Sequence, residues 1–287
     1  MKKWAPLAVL GLAQFIMVLD QAVMNVSISQ LVTDFDTSVG VIQGVITMYS
    51  LVMAMLMLTG GKLGDILGRR RTFAIGLVIY GIGSALTAVS WSVAALAIGW
   101  SVLEGVGAAL VLPALVALIA GSYRGRDRIT AYAVIGGVAG AGIAVGPIIG
   151  GWATTDLSWR VVFVGEVILV AIVLATTRWI VDVPADRRPQ LDGIGAALSA
   201  LGLGMIVFAF LQASTWGWIE PKNSPVEPLG FSLTPFLAAA GGAVLVLFRR
   251  WSGHRRDQGR DQLVKLELLA IPRLRSGLLT FGAQNLI

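Results

Sequence analysis

The sequence predicts an all-α integral membrane protein, and its composition carries that prediction. Of its 287 residues, 56% are hydrophobic and only 13% are charged, and the mean hydropathy is +0.80. A soluble globular protein carries about 25% charged residues, so the soluble classes are excluded. The chain has no cysteine and one histidine, His254, which excludes a disulfide framework and an imidazole cluster for a metal.

Eight apolar stretches are long enough to cross a bilayer as helices. A transmembrane helix needs about 20 apolar residues to cross about 30 Å of hydrocarbon. The predicted spans are 6–28, 42–60, 73–90, 93–119, 131–152, 161–181, 193–213 and 233–250. A further apolar run over 276–287 ends with the chain, and at about 1.5 Å per residue it reaches only about 18 Å.

The basic residues predict the orientation of these spans. With the N-terminus on the cytoplasmic side, 20 of the 22 lysines and arginines fall in cytoplasmic loops, and only Arg160 and Lys222 fall outside. This bias is the positive-inside pattern, and it supports the span count because one missed helix would disrupt the alternation. We therefore expect a multi-pass protein of a bacterial-type plasma (inner) membrane. Most of the basic residues behind the net charge of +6 lie in the predicted cytoplasmic loops and set the orientation of the spans, so no nucleic-acid partner is expected.

The hydrophilic stretches divide the chain into five predicted segments. These are an N-terminal six-helix transporter bundle (1–181), a cytoplasmic linker (182–192), two additional transmembrane helices (193–250), a basic cytoplasmic loop (251–275) and an incomplete transmembrane stub (276–287). The bundle consists of two three-span triplets of opposite orientation, and each triplet opens with a helix that carries a carboxylate. This arrangement is typical of the inverted repeats of transporters.

Three acidic residues lie inside predicted spans: Asp20, Glu104 and Glu166. A charge inside the bilayer costs at least about 2.5 kcal/mol on insertion scales, so each is a functional candidate. Because burial disfavours a charged carboxylate, proton uptake and release is the expected chemistry, and a hydrogen-bonded structural carboxyl is the alternative. The functional interpretation is favoured for Asp20 and the structural one for Glu166, which is predicted close to the outer interface. For Glu104 both interpretations stay open.

The loop between the second and third spans reads GGKLGDILGRRR over 60–71. Its interior glycines permit a tight turn, its aspartate can pair locally, and its arginines can hold carboxylates or anionic lipid. The candidate residues of this loop are Gly61, Gly64, Asp65, Gly68, Arg69 and Arg70.

The fifth span reads GIAVGPIIGG over 142–151. Glycines at four-residue spacing let helix backbones approach closely, and a proline bends the helix near its outer end. Close packing alone explains the spacing, but it explains the Gly-Pro-x-x-Gly-Gly cluster less well. The candidate residues are Gly142, Gly146, Pro147, Gly150 and Gly151.

At these residues the sequence resembles the major facilitator superfamily, and specifically its fourteen-span drug:proton antiporters. Residues 61–71 look like the superfamily's loop signature, 19–28 like the subgroup's first-span signature, and 142–151 like the signature of its exporters. Spans seven and eight look like the subgroup's two extra central helices, and 263–279 looks like the entry into its second six-helix bundle. The implied fold is a major-facilitator-type N-terminal six-helix bundle plus two additional helices and a truncated ninth.

The resemblance implies a proton-coupled efflux antiporter that uses the proton gradient and no bound cofactor. It implies that Asp20 is a proton or cation site in the central cavity, that the 61–70 candidates form a conformational latch, and that Gly146 and Pro147 shape a helix seam used in switching. The cavity candidates are Asp20, Asn25, Trp100 and Glu104.

One departure from the family concerns the fourth span. The family usually presents an arginine there, three residues ahead of a glutamine-glycine pair, whereas this sequence has Ser101, Glu104 and Gly105. Asp20 therefore lacks a cationic neighbour and gains a like charge. Two mid-depth carboxylates with Trp100 nearby suit a lipophilic cationic drug, through charge pairing and cation–π contact. A lipid-facing Trp100 is the alternative.

The second departure is length, because the family's second bundle needs about six further spans. A truncated or split product is the first interpretation; pairing with a separately encoded half and a homodimer are the others. A non-transporting membrane protein, either a degenerate fragment or an assembly subunit, is the alternative function. An enzyme is not expected, since no span holds a histidine or lysine to activate a nucleophile, and no Gly-x-x-x-x-Gly-Lys-Ser/Thr loop binds ATP.

Overall fold

The computed structural model describes residues 2–180, 182, 189–272 and 274–277. Eight helices among these residues are long and apolar enough to cross a membrane, which confirms the all-α prediction. The helices are α1 (Ala5–Val26), the short α2 (Ile28–Asp34), α3 (Val39–Leu67), α4 (Arg69–Ala88), α5 (Val93–Ser122), α6 (Gly125–Leu157), α7 (Trp159–Trp179), α8 (Gly193–Trp216) and α9 (Leu233–Asp257).

Several helices continue past the apolar runs that predict them. The second predicted span ends at residue 60, yet α3 continues to Leu67, and α9 continues to Asp257 inside the predicted loop 251–275. Apolar length marks the part of a helix that lies in hydrocarbon, whereas the backbone hydrogen bonds continue until a residue leaves the helical conformation. Most of the predicted linker 182–192 and nearly all of the stub 276–287 lie outside the described residues.

The corner between α3 and α4 differs from its prediction. Gly61 and Gly64 are helical, and Gly68 alone, with a φ of 96°, leaves the helix before α4 begins at Arg69. A positive φ is unfavourable for residues with a Cβ, so glycine is required at this position. The expectation of a turn made by several glycines is therefore wrong, because one residue makes the corner.

The core of the bundle lies where α1 and α5 meet their neighbours. Helix α5 packs against α3 and α4, α1 packs against α6 and α7, and α4 packs against α7. Helix α8 packs against α3 and α9, so the two additional helices join the bundle along α3. This arrangement places α1, α5 and α7, which carry the three acidic residues predicted inside spans, around one interior.

A polar clamp ties α2 to the start of α7 on the side predicted to be outside. The Asp34 carboxylate accepts hydrogen bonds from Trp159 Nε1 at 2.8 Å and from Arg160 Nη1 at 3.0 Å. Arg160 also donates to the Ser90 carbonyl at 3.0 Å, which joins the end of α4 to the clamp. Desolvation opposes ionisation of Asp34, but the hydrogen bonds from Trp159, Gln30 and Arg160 outweigh it and lower the pKa of Asp34 below its ordinary 3.8.

This clamp predicts a pH-dependent contribution to stability. A lowered folded-state pKa stabilises the fold above the unfolded value, and the contribution is lost as the pH falls through the folded value. We therefore expect Asp34→Asn to reduce the free energy of unfolding at pH 7 by up to about 1 kcal/mol, the upper range for an exposed ion pair. Thermal melting of the purified chain should show that the difference in stability between Asp34→Asn and the wild type disappears as the pH falls below 3.8, the ordinary pKa of the carboxyl. Asp36→Asn, a change two residues beyond Asp34 in the chain, should melt like the wild type.

Candidate functional site

Three helices bring one carboxyl group each to the same point of the interior. Asp20 of α1, Glu104 of α5 and Glu166 of α7 are 0%, 0% and 1% exposed. One carboxylate oxygen of each lies within 4.8 Å of the others. We call these three residues the carboxyl cluster. The structure therefore places Glu166 in the interior beside Asp20 and Glu104.

Each member of the cluster accepts a hydrogen bond on one oxygen only. Trp100 Nε1 donates to Asp20 Oδ1 at 2.7 Å, Thr87 Oγ1 to Glu104 Oε1 at 3.4 Å, and Ser84 Oγ to Glu166 Oε2 at 3.3 Å. The second oxygens, Asp20 Oδ2, Glu104 Oε2 and Glu166 Oε1, have no hydrogen-bond partner among the described residues. A buried polar atom without a partner is costly, so these oxygens are places for protons or a bound cation.

Two tyrosines complete the surroundings of the cluster. The Tyr80 hydroxyl lies beside the Asp20 carboxyl, and it too is buried without a partner that meets hydrogen-bond geometry. The Tyr49 ring stacks on Trp100, with 4.7 Å between ring centroids. Trp100 is 1% exposed, so the alternative of a lipid-facing Trp100 is wrong. The indole of Trp100 therefore orients the Asp20 carboxyl, and the Tyr49 ring covers one face of that indole.

The charge of the cluster is uncompensated by neighbouring side chains. Among the described residues, no lysine or arginine forms an ion pair with any of the three carboxyls. Three carboxylates at this separation repel strongly in a medium of low dielectric, so they cannot all be ionised together. The charge of the cluster can therefore be neutralised either by shared protons or by a cation.

A π-helical segment of α5 delivers two of these residues. It covers Ala97–Glu104 and contains Trp100 and, at its end, Glu104. π-Helical segments are rare overall, but those that occur are often at functional sites. Their wider turn changes the direction of the side chains that follow. Ser101, which stands where the family has an arginine, is buried in the same segment and donates to the Val45 carbonyl of α3 at 2.7 Å.

A glycine on α4 makes room for Glu104. A Cβ added at Gly83 would lie 2.6 Å from Glu104 Cγ and 2.7 Å from the Gly99 carbonyl oxygen. Real Cβ contacts are longer, so α4 and α5 approach this closely only because position 83 has no side chain.

Asn25 is the one cavity candidate that lies away from the cluster. It is exposed, and its Nδ2 donates to the Gln21 carbonyl one turn earlier on α1 at 2.7 Å. The structure therefore brings together Asp20, Trp100 and Glu104 of the four candidates.

The candidates of the 61–70 motif make their contacts within this chain. Asp65 and Arg69 form an ion pair at 3.8 Å, and Arg69 Nη1 donates to the Ala117 carbonyl of α5 at 3.3 Å. The backbone N–H of Arg70 donates to the Asp182 carboxylate at 3.3 Å. The motif thus joins the ends of α3, α4 and α5 to the chain that follows α7.

The glycines of the 142–151 motif face α1 on both sides of Asp20. A Cβ at Gly142 would lie 3.0 Å from Val18 Cγ1, and one at Gly150 would lie 3.0 Å from Val23 Cα. A Cβ at Gly146 would overlap the Cβ of Ala22. The motif therefore sets how closely α6 approaches the segment of α1 that carries Asp20. Pro147 lies inside α6, and α6 continues past it as far as Leu157.

Helix α4 also contributes side chains to the site, and none of them is among the predicted candidates. Tyr80, Ser84 and Thr87 recur at helical spacing, and all three are buried beside the cluster. Polar side chains at this spacing on an otherwise apolar span mark an interior face, and this signal was present in the sequence.

The chain matches known transport proteins over most of its length. Residues 10–264 match the family model described as Major Facilitator Superfamily. The chain is 32% identical over 282 residues to the "Probable actinorhodin transporter" of Streptomyces coelicolor, covering 96% of this chain and 46% of that protein. It is 36% identical over 225 residues to the puromycin resistance protein of Streptomyces alboniger, covering 77% of this chain and 44% of that protein.

The similarity to solved structures concerns the fold. The crystal structure of the peptide transporter POT in complex with sulfate superposes with a TM-score of 0.58 at 17% identity, covering 74% of this chain and 47% of that chain. The human organic anion transporter MFSD10 superposes with a TM-score of 0.54, covering 78% of this chain and 57% of that chain. The chain spans about half the length of the curated relatives it matches.

Proposed function

Because the chain belongs to the Major Facilitator Superfamily, we propose that it acts as a proton-coupled efflux antiporter of lipophilic, cationic drugs, or as the N-terminal portion of one. The observation that carries this proposal is the buried carboxyl cluster, with one unpartnered oxygen on each member. The names of the two relatives, a probable actinorhodin transporter and a puromycin resistance protein, support drug efflux. Proton coupling and cationic substrates rest on the cluster.

The cluster has the chemistry that antiport requires. Protons and a substrate cation compete for the same carboxyl oxygens, so binding of one favours release of the other. Trp100 holds one oxygen of Asp20 in place, which leaves Oδ2 to exchange a proton. The Ser84 hydroxyl bonds Glu166, and Glu104 lies close to the same hydroxyl, so protons can pass between the two glutamates through it.

The seam between α1 and α6 gives a route from movement to proton exchange. Gly142, Gly146 and Gly150 contact α1 on both sides of Asp20. A shift of α6 along α1 therefore moves Asp20 relative to Glu104 and Glu166, which lie on other helices. Changes in the separation of these carboxyls change how many protons the cluster holds.

We further propose that a second helical bundle covers the exposed apolar side of α6. Its apolar side chains Ile143 and Ile148 are 64% and 70% exposed. Alternating access needs two bundles that move around a site at their interface. The second bundle is either a further six-helix half or a second copy of this chain.

A dye-efflux experiment tests the proposal. Energised cells that produce residues 1–287, alone or together with a second six-helix half, are loaded with a cationic dye and followed with and without a protonophore. We expect efflux that the protonophore abolishes, in one or both of these forms. An anionic dye of similar size is the control for charge selectivity. Retention of the dye in both forms, with the protein confirmed in the membrane, would favour a non-transporting membrane protein.

A further inference from the structure

A polar pocket lies at the end of α9 that is predicted to be cytoplasmic. It opens between the last turns of α9 and the segment 262–270, together with Arg275, and it is distant in sequence from the carboxyl cluster. Its polar lining consists of Arg249, Ser252, Arg256, Gln262, Glu267 and Arg275. Three guanidinium groups and one carboxylate give this lining a positive charge.

The positive charge is only partly neutralised by the protein. Arg256 pairs with Asp257 at 3.0 Å and with Glu267 at 3.5 Å, so the one carboxylate of the lining is already engaged. Within the described part of the chain, Arg249 and Arg275 have no carboxylate within 4.0 Å. Two arginines therefore face the pocket without a counter-ion from any residue that the structure describes.

A buried hydroxyl without a partner belongs to the same lining. Ser252 is 1% exposed, and its Oγ has no hydrogen-bond partner among the described residues. Polar atoms buried to this extent are normally bonded, so the vacant hydroxyl is a second indication of a missing ligand. The adjacent Gly253 leaves space, because a Cβ added there would meet nothing within 4 Å.

We propose that this pocket binds a phosphate group, held by the guanidinium groups of Arg249 and Arg275 and by the Ser252 hydroxyl. A guanidinium group donates two parallel hydrogen bonds to phosphate oxygens, and a serine hydroxyl donates a third. The phosphate is that of an anionic lipid headgroup or of inorganic phosphate. The pocket lies at a helix end that is predicted to be cytoplasmic, and Trp251 precedes Ser252 in the chain. Lipid headgroups and interfacial tryptophans meet at such helix ends.

Occupancy of the pocket bears on the α3–α4 corner. Gln262 lines the pocket, and its carbonyl accepts a hydrogen bond from Lys62 of α3 at 2.6 Å. A ligand that holds the segment 262–270 against α9 therefore also restrains the end of α3 that is predicted to be cytoplasmic. Binding here and transport through the carboxyl cluster are separate properties that involve different residues.

Lipid binding by the purified full chain tests the proposal directly. Native mass spectrometry would measure retention of phosphatidylglycerol, phosphatidylcholine and inorganic phosphate by the wild type and by Arg249→Gln/Arg275→Gln. We expect the double variant to bind phosphatidylglycerol roughly thirtyfold more weakly, the factor for two arginine contacts at a membrane surface. Arg124→Gln/Arg126→Gln removes the same charge from another loop on the same predicted side, and it should change binding less than about threefold.

Ser252→Ala is the second variant, and it removes only the hydroxyl. We expect it to weaken phosphatidylglycerol binding by about tenfold without changing the charge or the elution volume on size-exclusion chromatography. Preference for phosphatidylglycerol over inorganic phosphate would identify the lipid headgroup as the source, and displacement of the lipid by inorganic phosphate would show that the pocket takes phosphate itself. Equal losses in the two arginine pairs, or equal retention of phosphatidylcholine and phosphatidylglycerol, would overturn the proposal.

Discussion

Replacement of Asp20 by asparagine is expected to abolish proton-driven efflux and to leave the protein folded. The amide oxygen still accepts the hydrogen bond that Trp100 donates at 2.7 Å. The amide nitrogen takes the place of the unpartnered Oδ2 and can donate to a neighbouring carboxyl. Because a buried acid is replaced by a neutral group of the same shape, the free energy of unfolding should not fall. The variant loses the ability to exchange a proton and to pair with a cation at this position.

The measurement is efflux of a cationic dye from vesicles that hold the chain in its transporting form, driven by an imposed pH gradient. The control is Asp156→Asn, which changes an exposed carboxyl of α6 and should transport like the wild type. Size-exclusion chromatography of the purified variants establishes that they are folded. If Asp20→Asn keeps full protonophore-sensitive efflux, the role assigned to Asp20 is wrong.

Glutamine at position 166 extends this experiment to a second member of the cluster. Residues that act as one unit have strongly non-additive effects, so Asp20→Asn combined with Glu166→Gln should transport no less than Asp20→Asn alone. Glu166→Gln by itself should already reduce coupled efflux at least about tenfold. Wild-type efflux in Glu166→Gln would restrict the function of the cluster to Asp20 and Glu104.

The spans were predictable because apolar length belongs to each segment separately. The position of Glu166 was not, because it depends on which side of α7 faces the bundle. In the structure Glu166 lies on the same side as Trp159, Phe163 and Val170, all of which are buried. The lipid-facing side of the helix is equally apolar, so hydropathy does not distinguish the two sides as it does in a soluble helix.

Local backbone conformations could not be predicted from the sequence either. Nothing in the residues 60–71 indicates that Gly68 takes the positive φ while Gly61 and Gly64 stay helical. The π-helical segment that ends at Glu104, and that packs against α3 and α4, has no sequence signature either. The residue types of the site were thus partly predictable, whereas their orientation was fixed by tertiary packing.

Replacement of Gly146 by alanine is expected to have the second large effect, through the seam between α1 and α6. The added methyl group would overlap Ala22 Cβ, a short side chain that cannot move aside, so the two helices must separate. Overpacking of this kind costs about 1–3 kcal/mol. Separation also withdraws Asp20 from the carboxyl cluster, so both the melting temperature of the purified chain and proton-driven efflux should fall.

Gly140→Ala is the matched control, because it adds the same methyl group to the same helix where nothing lies within 4 Å. It should melt at or above the wild-type temperature, since alanine favours the helix over glycine by up to about 1 kcal/mol. Ala22→Gly, introduced together with Gly146→Ala, removes the atom that the new methyl group would overlap. The combination should recover most of the lost stability and efflux, whereas an equal cost at both glycines, or no recovery, would contradict a specific contact between Gly146 and Ala22. Recovery would establish that the spacing of α1 and α6, rather than glycine itself, holds Asp20 against Glu104 and Glu166.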